Sequence, residues 1–508
     1  MTETRVHREV ERKLAVPARF RIPPLGGEGS GIEAVEQPTL RLTAVYWDTD
    51  DLRLARHRIT LRRRTGGHDD GWHLKLPHAD ENARDEVQWP LGDATDVPDA
   101  LVTLVLGITR GSPLLPVATI VNDRRPTLVT DAAGNALAEV TDDRVTVKTD
   151  GRITARFREL EVEAANGRSN DDLQPVVDVL IAAGATPSSF ASKAVRALGP
   201  RALEPADVVR PDPVASSDPA GDAVTALIAK LVTAFLAQDL RLRRDLPDAV
   251  HQMRVAARRL RSGLKVFAPL VETEWAKALS GEVAWIAGEL SASRVREVLE
   301  ARLLAGMATI EAPGAEKAIK IIRRELGIDE AAALAAVRAA MQSPRYLALL
   351  DALVAAAHAP RLTEAAMWPV SDALPPLVRS AWKRLSRDVR DLRQKSADEP
   401  WHAARIRAKH ARYAADALIP VFGKPAKRLS KQLEHVTELL GRHQDAAIAA
   451  ETAQSLASAK GVGGKAGYAL GLLHDQQRAE VRDVRQQFVE VWPSVAAPEW
   501  RHWLKPAI

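Results

Sequence analysis

The spacing of the apolar residues changes once along this chain, and the change limits the folds that the chain can adopt. Up to about residue 164, short segments alternate apolar and polar residues between turns rich in Gly, Asp and Pro. From about residue 222, apolar residues recur at helical spacing in long runs of Ala, Leu, Arg and Glu. A period of two predicts strands and a period near 3.6 predicts helices. We therefore predict an α+β multidomain protein, mostly antiparallel β first and all-α afterwards.

A stretch with the composition of a linker separates the part with strand periodicity from the part with helical periodicity. Residues 201–219 contain four prolines and no apolar period, which is typical of a connecting segment. The 508 residues are too many for one core, because single cores stop growing at roughly 250–300 residues. We expect a first domain over residues 1–200 and a helical domain over residues 220–500.

Composition excludes several classes of chemistry. The chain has no cysteine, so disulfides, cysteine-based metal sites and a thiol nucleophile are excluded. The charged N-terminus lacks the apolar core of a signal peptide. The apolar tract 346–359 is too short to span a bilayer. We expect a cytoplasmic protein without a membrane partner. The net charge of +5 says little about other partners.

Several predicted strands carry charged residues on one face. These same-face groups are Glu9, Glu11 and Lys13; Arg62 and Arg64; Arg84 and Glu86; and Glu159, Glu161 and Glu163. One interpretation is an ordinary exterior with cross-strand ion pairs. The other is a closed barrel with a charged lumen, in which Arg and Lys bind phosphates. Carboxylates would belong in such a lumen if they held Mg²⁺ or Mn²⁺ against phosphate oxygens. Periodicity alone leaves both interpretations open.

The helical part contains a repeat of one histidine followed by basic residues at +3, +7 and +10. The copies are His251, Arg254, Arg258 and Arg261, and His402, Arg405, Lys409 and Arg412. At about 100° per residue, each set shares one helix face. A stripe of one sign lacks the stabilising opposite-charge pairs of a solvated face, so it favours an anionic ligand. Lys427 and Lys431 add further cations at helical spacing. Two copies indicate duplicated helical bundles related by a pseudo-twofold axis.

The segment EVERK at residues 9–13 resembles the ExExK signature of the CYTH family, the triphosphate tunnel metalloenzymes. Later segments follow in that family's order: YWDTDDLRLARHRITLRRR, GWHLKLP, RDEVQW, NDRR, LAEVTDDRV, FRELEVEA and SKAVRAL. The resemblance covers about residues 1–200. It implies an eight-stranded antiparallel β tunnel that binds triphosphate-containing substrates together with a divalent metal.

The CYTH resemblance also implies roles for particular residues. The implied phosphate-binding cations are Lys13, Arg62, Arg64, Lys75, Arg84, Arg124 and Lys193. The implied metal-binding carboxylates are Glu9, Glu11, Glu161 and Glu163, with Asp143 as a possible addition. Arg125 and Asp142 are the neighbouring alternatives in register. Glu9, Glu11 and Lys13 are the expected catalytic residues, and Lys13 either helps to activate water or only binds substrate. In-line attack by water would release pyrophosphate.

The helical repeat resembles the two signatures of the CHAD family, the conserved histidine α-helical domain. The matching segments are VHQMRVAARRLRS and WHAARIRAKHARYAADAL, and LLGRHQDAAIA resembles the segment that follows the second. The resemblance covers about residues 220–490. It implies two four-helix bundles with a basic groove that binds inorganic polyphosphate. The first half departs from the family at GELSASRVREV, where an Asp is usual near Val295.

The tandem order resembles that of bacterial inorganic triphosphatases. We therefore expect a divalent-metal-dependent hydrolase that converts inorganic triphosphate to pyrophosphate and orthophosphate, with a helical module for polyphosphate. One alternative is a polyphosphate-binding or sensing protein without turnover. Another is an adenylate cyclase or other organic triphosphatase. Nucleic-acid binding is disfavoured because aromatics are only 4% of the chain, which leaves few side chains for base stacking.

Overall fold

The structure is a computed structural model that describes most of the chain as two compact units, residues 1–207 and 208–508. The described residues are 5–26, 32–67, 69–77, 83–92, 95–165, 168–188, 193–209, 211–291, 294–327 and 329–504. The description leaves out the side chains of residues 5–9, 83, 294, 295 and 330.

The first unit combines an antiparallel sheet with short helices. Its strands are β1 (Arg5–Ala15), β2 (Ile32–Glu36), β3 (Leu40–Asp48), β4 (Thr60–Thr65), β5 (Gly71–Pro77), β6 (Ala83–Trp89), β7 (Leu115–Asp131), β8 (Ala136–Thr149), β9 (Arg152–Ala164) and β10 (Thr186–Pro187). Its α-helices are α1 (Arg53–Arg56), α2 (Asp99–Thr109), α3 (Gln174–Ala182) and α4 (Lys193–Leu198).

Eight of these strands close into a ring. The order of hydrogen-bonded neighbours is β1-β6-β5-β4-β3-β7-β8-β9. The ring closes because the first half of β1 pairs with β6 and its second half pairs with β9, both antiparallel. The predicted eight-stranded antiparallel tunnel is confirmed. Two strands that the sequence analysis did not anticipate flank the ring, since β2 pairs with β7 and β10 pairs with β1.

One apolar cluster of the first unit lies on the outer face of the ring, between β9 and α3. Leu160 and Val162 on β9 are fully buried and belong to one cluster with Leu173 and Leu180. These β9 residues alternate with glutamates, and successive side chains of a strand point to opposite faces. Because helices cover the apolar outer face, the interior of the ring is free to carry charge.

The second unit is helical, as predicted. Its α-helices are α5 (Ala220–Arg243), α6 (Ala249–Val266), α7 (Thr273–Glu289), α8 (Arg294–Ala308), α9 (Ala315–Leu326), α10 (Glu330–Gln342), α11 (Pro344–His358), α12 (Val370–Arg390), α13 (Asp398–Ala417), α14 (Ile419–Phe422), α15 (Lys424–Ala457) and α16 (Gly464–Val495). A 3₁₀ helix, Pro498–Leu504, follows α16.

Two sets of four helices form the body of this unit. One set is α5, α6, α7 and α11, and the other is α12, α13, α15 and α16. The second helix of each set carries one copy of the histidine repeat, and these two helices, α6 and α13, contact each other. Helices α8 and α9 pack on α15 and α16 around a smaller core that includes Leu303, Ile322 and Leu473.

Helix α5 is apolar for a structural reason. Among the described helices it alone has the length and mean hydropathy (1.6) that could cross a membrane. Its apolar residues Val224, Val232 and Phe235 are fully buried in the main helical core. This burial against neighbouring helices is the environment of a core helix in a helical bundle.

Candidate functional site

A cavity of about 430 Å³ lies inside the ring and is lined mainly by polar and charged side chains. It brings together nine of the predicted site residues: Glu11, Lys13, Arg62, Arg64, Lys75, Arg124, Glu161, Glu163 and Lys193. Eight of them lie on strands at alternating positions, and side chains at alternating positions of a strand point to the same side. Lys193 enters from the first turn of α4.

Three predicted residues are placed differently. The side chain of Glu9 lies outside the described residues, although its backbone pairs with Arg84 between β1 and β6. Arg84 lines a smaller recess that also includes Glu11 and Lys13. Asp143 is fully buried and is not among the described residues that line the cavity.

Asp143 supports two of the cations. Arg124 donates to its two carboxylate oxygens at 2.9 and 2.8 Å, and the Nζ of Lys193 lies 2.8 Å from Oδ2. The alternative residue Asp142 instead accepts hydrogen bonds from Arg158 at 2.6 and 2.9 Å. The structure therefore gives Asp143 the contacts of a positioning residue for Arg124 and Lys193.

Lys193 sits at the centre of an acidic cluster. Its Nζ lies 2.8 Å from Asp143, 2.9 Å from Glu159 and 2.6 Å from Glu161. Burial opposes the charge of Lys193, but these carboxylates outweigh it and raise the pKa of the lysine. Burial likewise opposes ionisation of Glu161, yet Lys193, Lys13 and Arg124 hold the pKa of Glu161 well below its usual range. Both groups are therefore charged at neutral pH.

Lys13 is also held in its charged form. Its Nζ lies 2.9 Å from Glu11 and 3.6 Å from Glu161. Burial lowers the pKa of Lys13, but the two carboxylates raise it above its usual value overall. A lysine that stays protonated donates hydrogen bonds and cannot accept a proton. The geometry therefore favours a substrate-binding and water-positioning role for Lys13 over that of a general base.

Positively charged side chains lie close together on β4 and β5. Burial, together with the nearby charges of Arg62 and Arg124, lowers the pKa of Arg64 to about 9. Like charges that approach one another at a buried site are stabilised by an anion between them. Carboxylates of the protein limit this repulsion: Asp69 is ion-paired with Arg64, and Glu86 lies 3.8 Å from Arg62 and 4.0 Å from Lys75.

Sequence reasoning missed several residues of the cavity wall. Glu86, Glu139, Asn122 and Tyr46 line the cavity, and none of them was assigned to the site. The spacing could have indicated Glu86 and Glu139. Glu86 lies an even number of residues from Arg84, and Glu139 lies an even number of residues from Asp143, and both Arg84 and Asp143 were assigned to the site. Strand alternation places such residues on one face.

The carboxylates of the cavity provide a donor set that fits a hard divalent cation. Glu11 lies opposite Glu163 between β1 and β9, and Glu163 lies opposite Glu139 between β9 and β8. Among the described residues, no three acidic or histidine side chains converge as a finished metal cage. Mg²⁺ requires only one or two carboxylates, with water and substrate phosphates completing its shell. Glu11, Glu161 and Glu163 would supply oxygen ligands to such an ion, and two of them are in contact with Lys13 and Lys193.

One wall of the cavity is apolar. Leu40, Leu42, Ala44 and Tyr46 alternate along β3 and line the cavity. In the ring order, β3 is four strands from β1 in either direction. The apolar wall therefore faces the strand that carries Glu11 and Lys13. This asymmetry makes one side suited to phosphate and metal and the other suited to an uncharged group.

The second unit brings its two basic stripes together. Burial and the charges of Arg405, Arg258 and Arg254 lower the pKa of Lys409 to about 8, partly offset by Asp445. Burial also lowers the pKa of Arg405, and Arg258 adds to this effect. The two helices α6 and α13 are in contact, and their half-buried residues Arg254, Arg258, Arg405 and Lys409 form one basic cluster, here called the basic groove.

The other predicted residues of this surface have different surroundings. Arg412 is ion-paired with Glu434 of α15. His402 is exposed, and its Nδ1 lies 2.6 Å from the side-chain oxygen of Gln444. His251 is half-buried, whereas Arg261, Lys427 and Lys431 are exposed.

A buried network holds the start of α13. The Arg485 guanidinium donates to Asp398 at 2.5 Å and to His443 Nε2 at 3.0 Å. The ring of His443 stacks on Trp401 at 5.2 Å between centroids. Burial first, then the charge of Arg485, lowers the pKa of His443 to about 4, so it is neutral and accepts the hydrogen bond. This network sets the position of the helix that carries Arg405 and Lys409.

The ring, its charged cavity and the paired helical repeats define a tandem of a triphosphate tunnel and a histidine-repeat helical domain. Comparison with known families agrees: the CYTH domain matches residues 7–182 and the CHAD domain matches residues 226–454. The chain belongs to the proteins that carry a CYTH domain followed by a CHAD domain. CYTH proteins act on triphosphates with divalent metal ions, and the two families bind triphosphates and polyphosphates in general.

Two relatives match nearly the whole chain, and two solved structures match about half of it. Two proteins of Mycobacterium tuberculosis, "Uncharacterized protein MT2285" (strain CDC 1551 / Oshkosh) and "Uncharacterized protein Rv2226" (strain ATCC 25618 / H37Rv), are each 34% identical over 509 residues, covering 95% of both chains. PptA from Streptomyces chartreusis is 30% identical, with 54% of this chain and 100% of that chain covered and a TM-score of 0.48. The CHAD domain from the plant Ricinus communis is 24% identical, with 56% and 96% covered and a TM-score of 0.44.

Proposed function

We propose that the first unit hydrolyses inorganic triphosphate to pyrophosphate and orthophosphate with Mg²⁺ or Mn²⁺. The observation that carries this proposal is the division of the cavity wall. Arg62, Arg64 and Lys75 on β4 and β5 lie across the ring from Glu139, Glu161 and Glu163 on β8 and β9. Arg124, Lys13 and Lys193 lie among the carboxylates. A phosphate chain lying between them contacts the cations directly and the carboxylates through a metal ion.

The residues of the chain have distinct tasks in this reaction. Arg62, Arg64 and Arg124 bind the phosphate chain and stabilise charge that develops on the leaving pyrophosphate. Protonated Lys13 donates to a phosphate oxygen or to the attacking water. Glu11, Glu161 and Glu163, with Glu9 as the further predicted ligand, would hold the metal. Bound Mg²⁺ or Mn²⁺ would neutralise phosphate charge and acidify a coordinated water.

The apolar β3 wall favours a second candidate substrate class, the organic triphosphates. Leu40, Leu42 and Tyr46 offer a surface on which a nucleobase or thiazole could pack. Among the four described residues of this wall, only Tyr46 has a polar side-chain group that could select a base. We prefer inorganic triphosphate as the substrate. Its phosphates can occupy the charged part of the cavity, and it has no uncharged group that would need the apolar wall.

We also propose that the basic groove of the second unit binds inorganic polyphosphate. The four cations of the basic groove lie close together on α6 and α13. Burial and their mutual repulsion lower the pKa values of Arg405 and Lys409. A flexible polyanion relieves this repulsion at many points at once, and it needs no base-stacking aromatics. A protein with both activities would work in the cytoplasm, where phosphate anhydrides are made.

The proposal is tested with purified full-length protein and a substrate panel. Triphosphate, ATP, thiamine triphosphate and long-chain polyphosphate are incubated with Mg²⁺ or Mn²⁺, and orthophosphate, pyrophosphate and cyclic AMP are measured. We expect orthophosphate and pyrophosphate from triphosphate, lost in Glu11→Ala and after chelation. Tight triphosphate binding without product would instead indicate a sensor, and cyclic AMP from ATP at a comparable rate would indicate a cyclase.

A further inference from the structure

A second cavity lies in the helical unit, between α12 and the 3₁₀ helix Pro498–Leu504, and the sequence analysis assigns it no role. Its volume is about 400 Å³. The described residues that line it include Arg379, Trp382, Lys383, Ser386, Arg390 and Arg501. Four of these residues are cations, and no described lining residue is acidic. The wall of this cavity therefore carries charge of one sign.

This cavity is on the face of α12 that is turned away from α13. Arg379, Lys383 and Arg390 recur at helical spacing, so they share one face of α12. At about 100° per residue, Asp388 lies on the opposite face, where it pairs with Arg407 of α13 at 3.2 Å. The basic groove lies on α6 and α13, and none of its four residues lines this cavity. The cavity is therefore a surface separate from the groove.

Arg501 is the cation of this cavity whose surroundings are most constrained. Its guanidinium lies 4.1 Å from the ring centre of Trp382 and donates to the carbonyl of Ala496 at 2.6 Å. Its Nε is buried and has no hydrogen-bond partner among the described residues. Burial lowers the pKa of Arg501, and no carboxylate offsets this effect. Arg379 donates to the carbonyl of Leu504, which holds the 3₁₀ helix against α12.

Other buried arginines of this unit have carboxylate partners. Arg243 lies 2.9 Å from Asp239, and Arg485 lies 2.5 Å from Asp398. Within the described part of the chain, by contrast, none of the four cations that line the cavity forms an ion pair with a carboxylate. Buried charges in proteins are normally paired. A wall of unpaired cations that includes a half-buried arginine is therefore suited to an anion.

We propose that this cavity binds a compact phosphate anion with several charges, of which inorganic pyrophosphate is the simplest. Guanidinium groups bind phosphate oxygens bidentately. Arg379 and Lys383 are one helical turn apart, about 6 Å, which two linked phosphoryl groups can bridge. A nucleotide fits less well, because Trp382 is only 5% exposed and base stacking needs an open aromatic face. The site does not depend on triphosphate hydrolysis.

The test uses Lys383, an exposed residue of the cavity, as a reporter. Full-length protein is treated with an amine-acetylating reagent at constant ionic strength, with increasing pyrophosphate or citrate, and mass spectrometry gives the acetylation of each lysine. We expect pyrophosphate to protect Lys383 and to leave Lys317, an exposed residue of α9, unprotected. Pyrophosphate bound in the tunnel or in the basic groove is detected separately, at Lys75 and Lys409.

Three variants establish whether the protection arises in the cavity. Arg501→Gln should raise the pyrophosphate concentration that half-protects Lys383 by about tenfold, as for one lost charge-assisted hydrogen bond. Arg390→Gln changes an exposed side chain, so it should weaken protection without disturbing the fold. The control Arg387→Gln removes a charge from the same helix, at an exposed residue that does not line the cavity, and should change nothing.

Three results would overturn the proposal. The first is an absence of protection at Lys383, or equal protection of Lys383 and Lys317, which would indicate general screening of charge. The second is protection that neither Arg501→Gln nor Arg390→Gln weakens. The third is protection by citrate as strong as that by pyrophosphate, which would show that the cavity does not select phosphate. None of these results bears on hydrolysis by the first unit.

Discussion

Glu11 and Glu163 lie directly opposite each other on neighbouring strands, and both face the cavity of the ring. Like charges in this arrangement are destabilising, by roughly 0.2–1 kcal/mol for an exposed pair. Glu139 extends the same row on the next strand. A fold that places three carboxylates side by side on an inner wall is stabilised when a cation binds there.

The first prediction concerns metal-free protein. Glu163→Gln should change the free energy of unfolding in chelator by less than about 1 kcal/mol, because the relief of one like-charge contact is offset by the lost attraction to Arg124. The same change should reduce the rise in Tm that Mg²⁺ or Mn²⁺ causes, since it removes a ligand. Thermal unfolding with and without metal measures both effects. The exposed residue Glu204 supplies the control, Glu204→Gln, and equal metal-induced shifts in all three proteins would contradict the prediction.

The second prediction concerns Lys193. Lys193→Met removes the cation that Asp143, Glu159 and Glu161 share, so it should destabilise the first unit by on the order of 3 kcal/mol. Urea denaturation, with hydrogen exchange of β9 amides to report on this unit, measures the loss. The double variant Lys193→Met with Glu161→Gln should recover part of the stability.

The surface pair Lys277–Glu274 provides a matched control for Lys193. Its Nζ–Oε1 distance is 2.9 Å, yet both side chains are largely exposed. Exposed pairs contribute little to stability, so Lys277→Met should have almost no effect. A loss in Lys193→Met that is no larger than in Lys277→Met would show that the buried cluster is not held by this lysine.

The third prediction is a pH dependence of polyphosphate binding. The pKa of Lys409 is about 8 without ligand, and a bound polyanion raises it because it stabilises the charged form. Below pH 7, Lys409 is already protonated, so its contribution to affinity is constant. Above pH 8, binding requires uptake of a proton, and affinity should fall by up to about tenfold per pH unit. Titrations from pH 6.5 to 9.5 test this, and Lys409→Arg should flatten the profile.

The fourth prediction distinguishes two arginines, one from each copy of the histidine repeat. Arg258→Ala should weaken polyphosphate retention strongly, because Arg258 lies in the basic groove with Arg405 and Lys409. Arg412→Ala should have a smaller effect, since Arg412 is already neutralised by Glu434. Binding measured at two salt concentrations should also show a shallower salt dependence for Arg258→Ala. Equal losses in the two variants would mean that Glu434 does not shield Arg412 from the ligand.

Much of the site followed from local spacing. Strand alternation correctly grouped Glu11 with Lys13, and Arg62 with Arg64, on one face. It could not show that this face is the inside of a ring, because closure depends on β1 pairing with both β6 and β9, which lie far from each other in the chain. The apolar wall of β3 was invisible for the same reason, since alternation reveals a face but not its neighbour.

The contacts of Asp143 illustrate the other limit of sequence reasoning. Its parity and its family position both predict a residue near the metal, and only packing shows Arg124 and Lys193 on its oxygens.

The amino-acid sequence by itself determined the secondary structure, the order of the two domains and the signs of their charged faces, because these depend on residue spacing along a strand or helix. Tertiary structure alone decided which charges face one another and which carboxylates share the same lysine. Those relationships join residues that are often more than a hundred positions apart, and they are set by ring closure and helix packing.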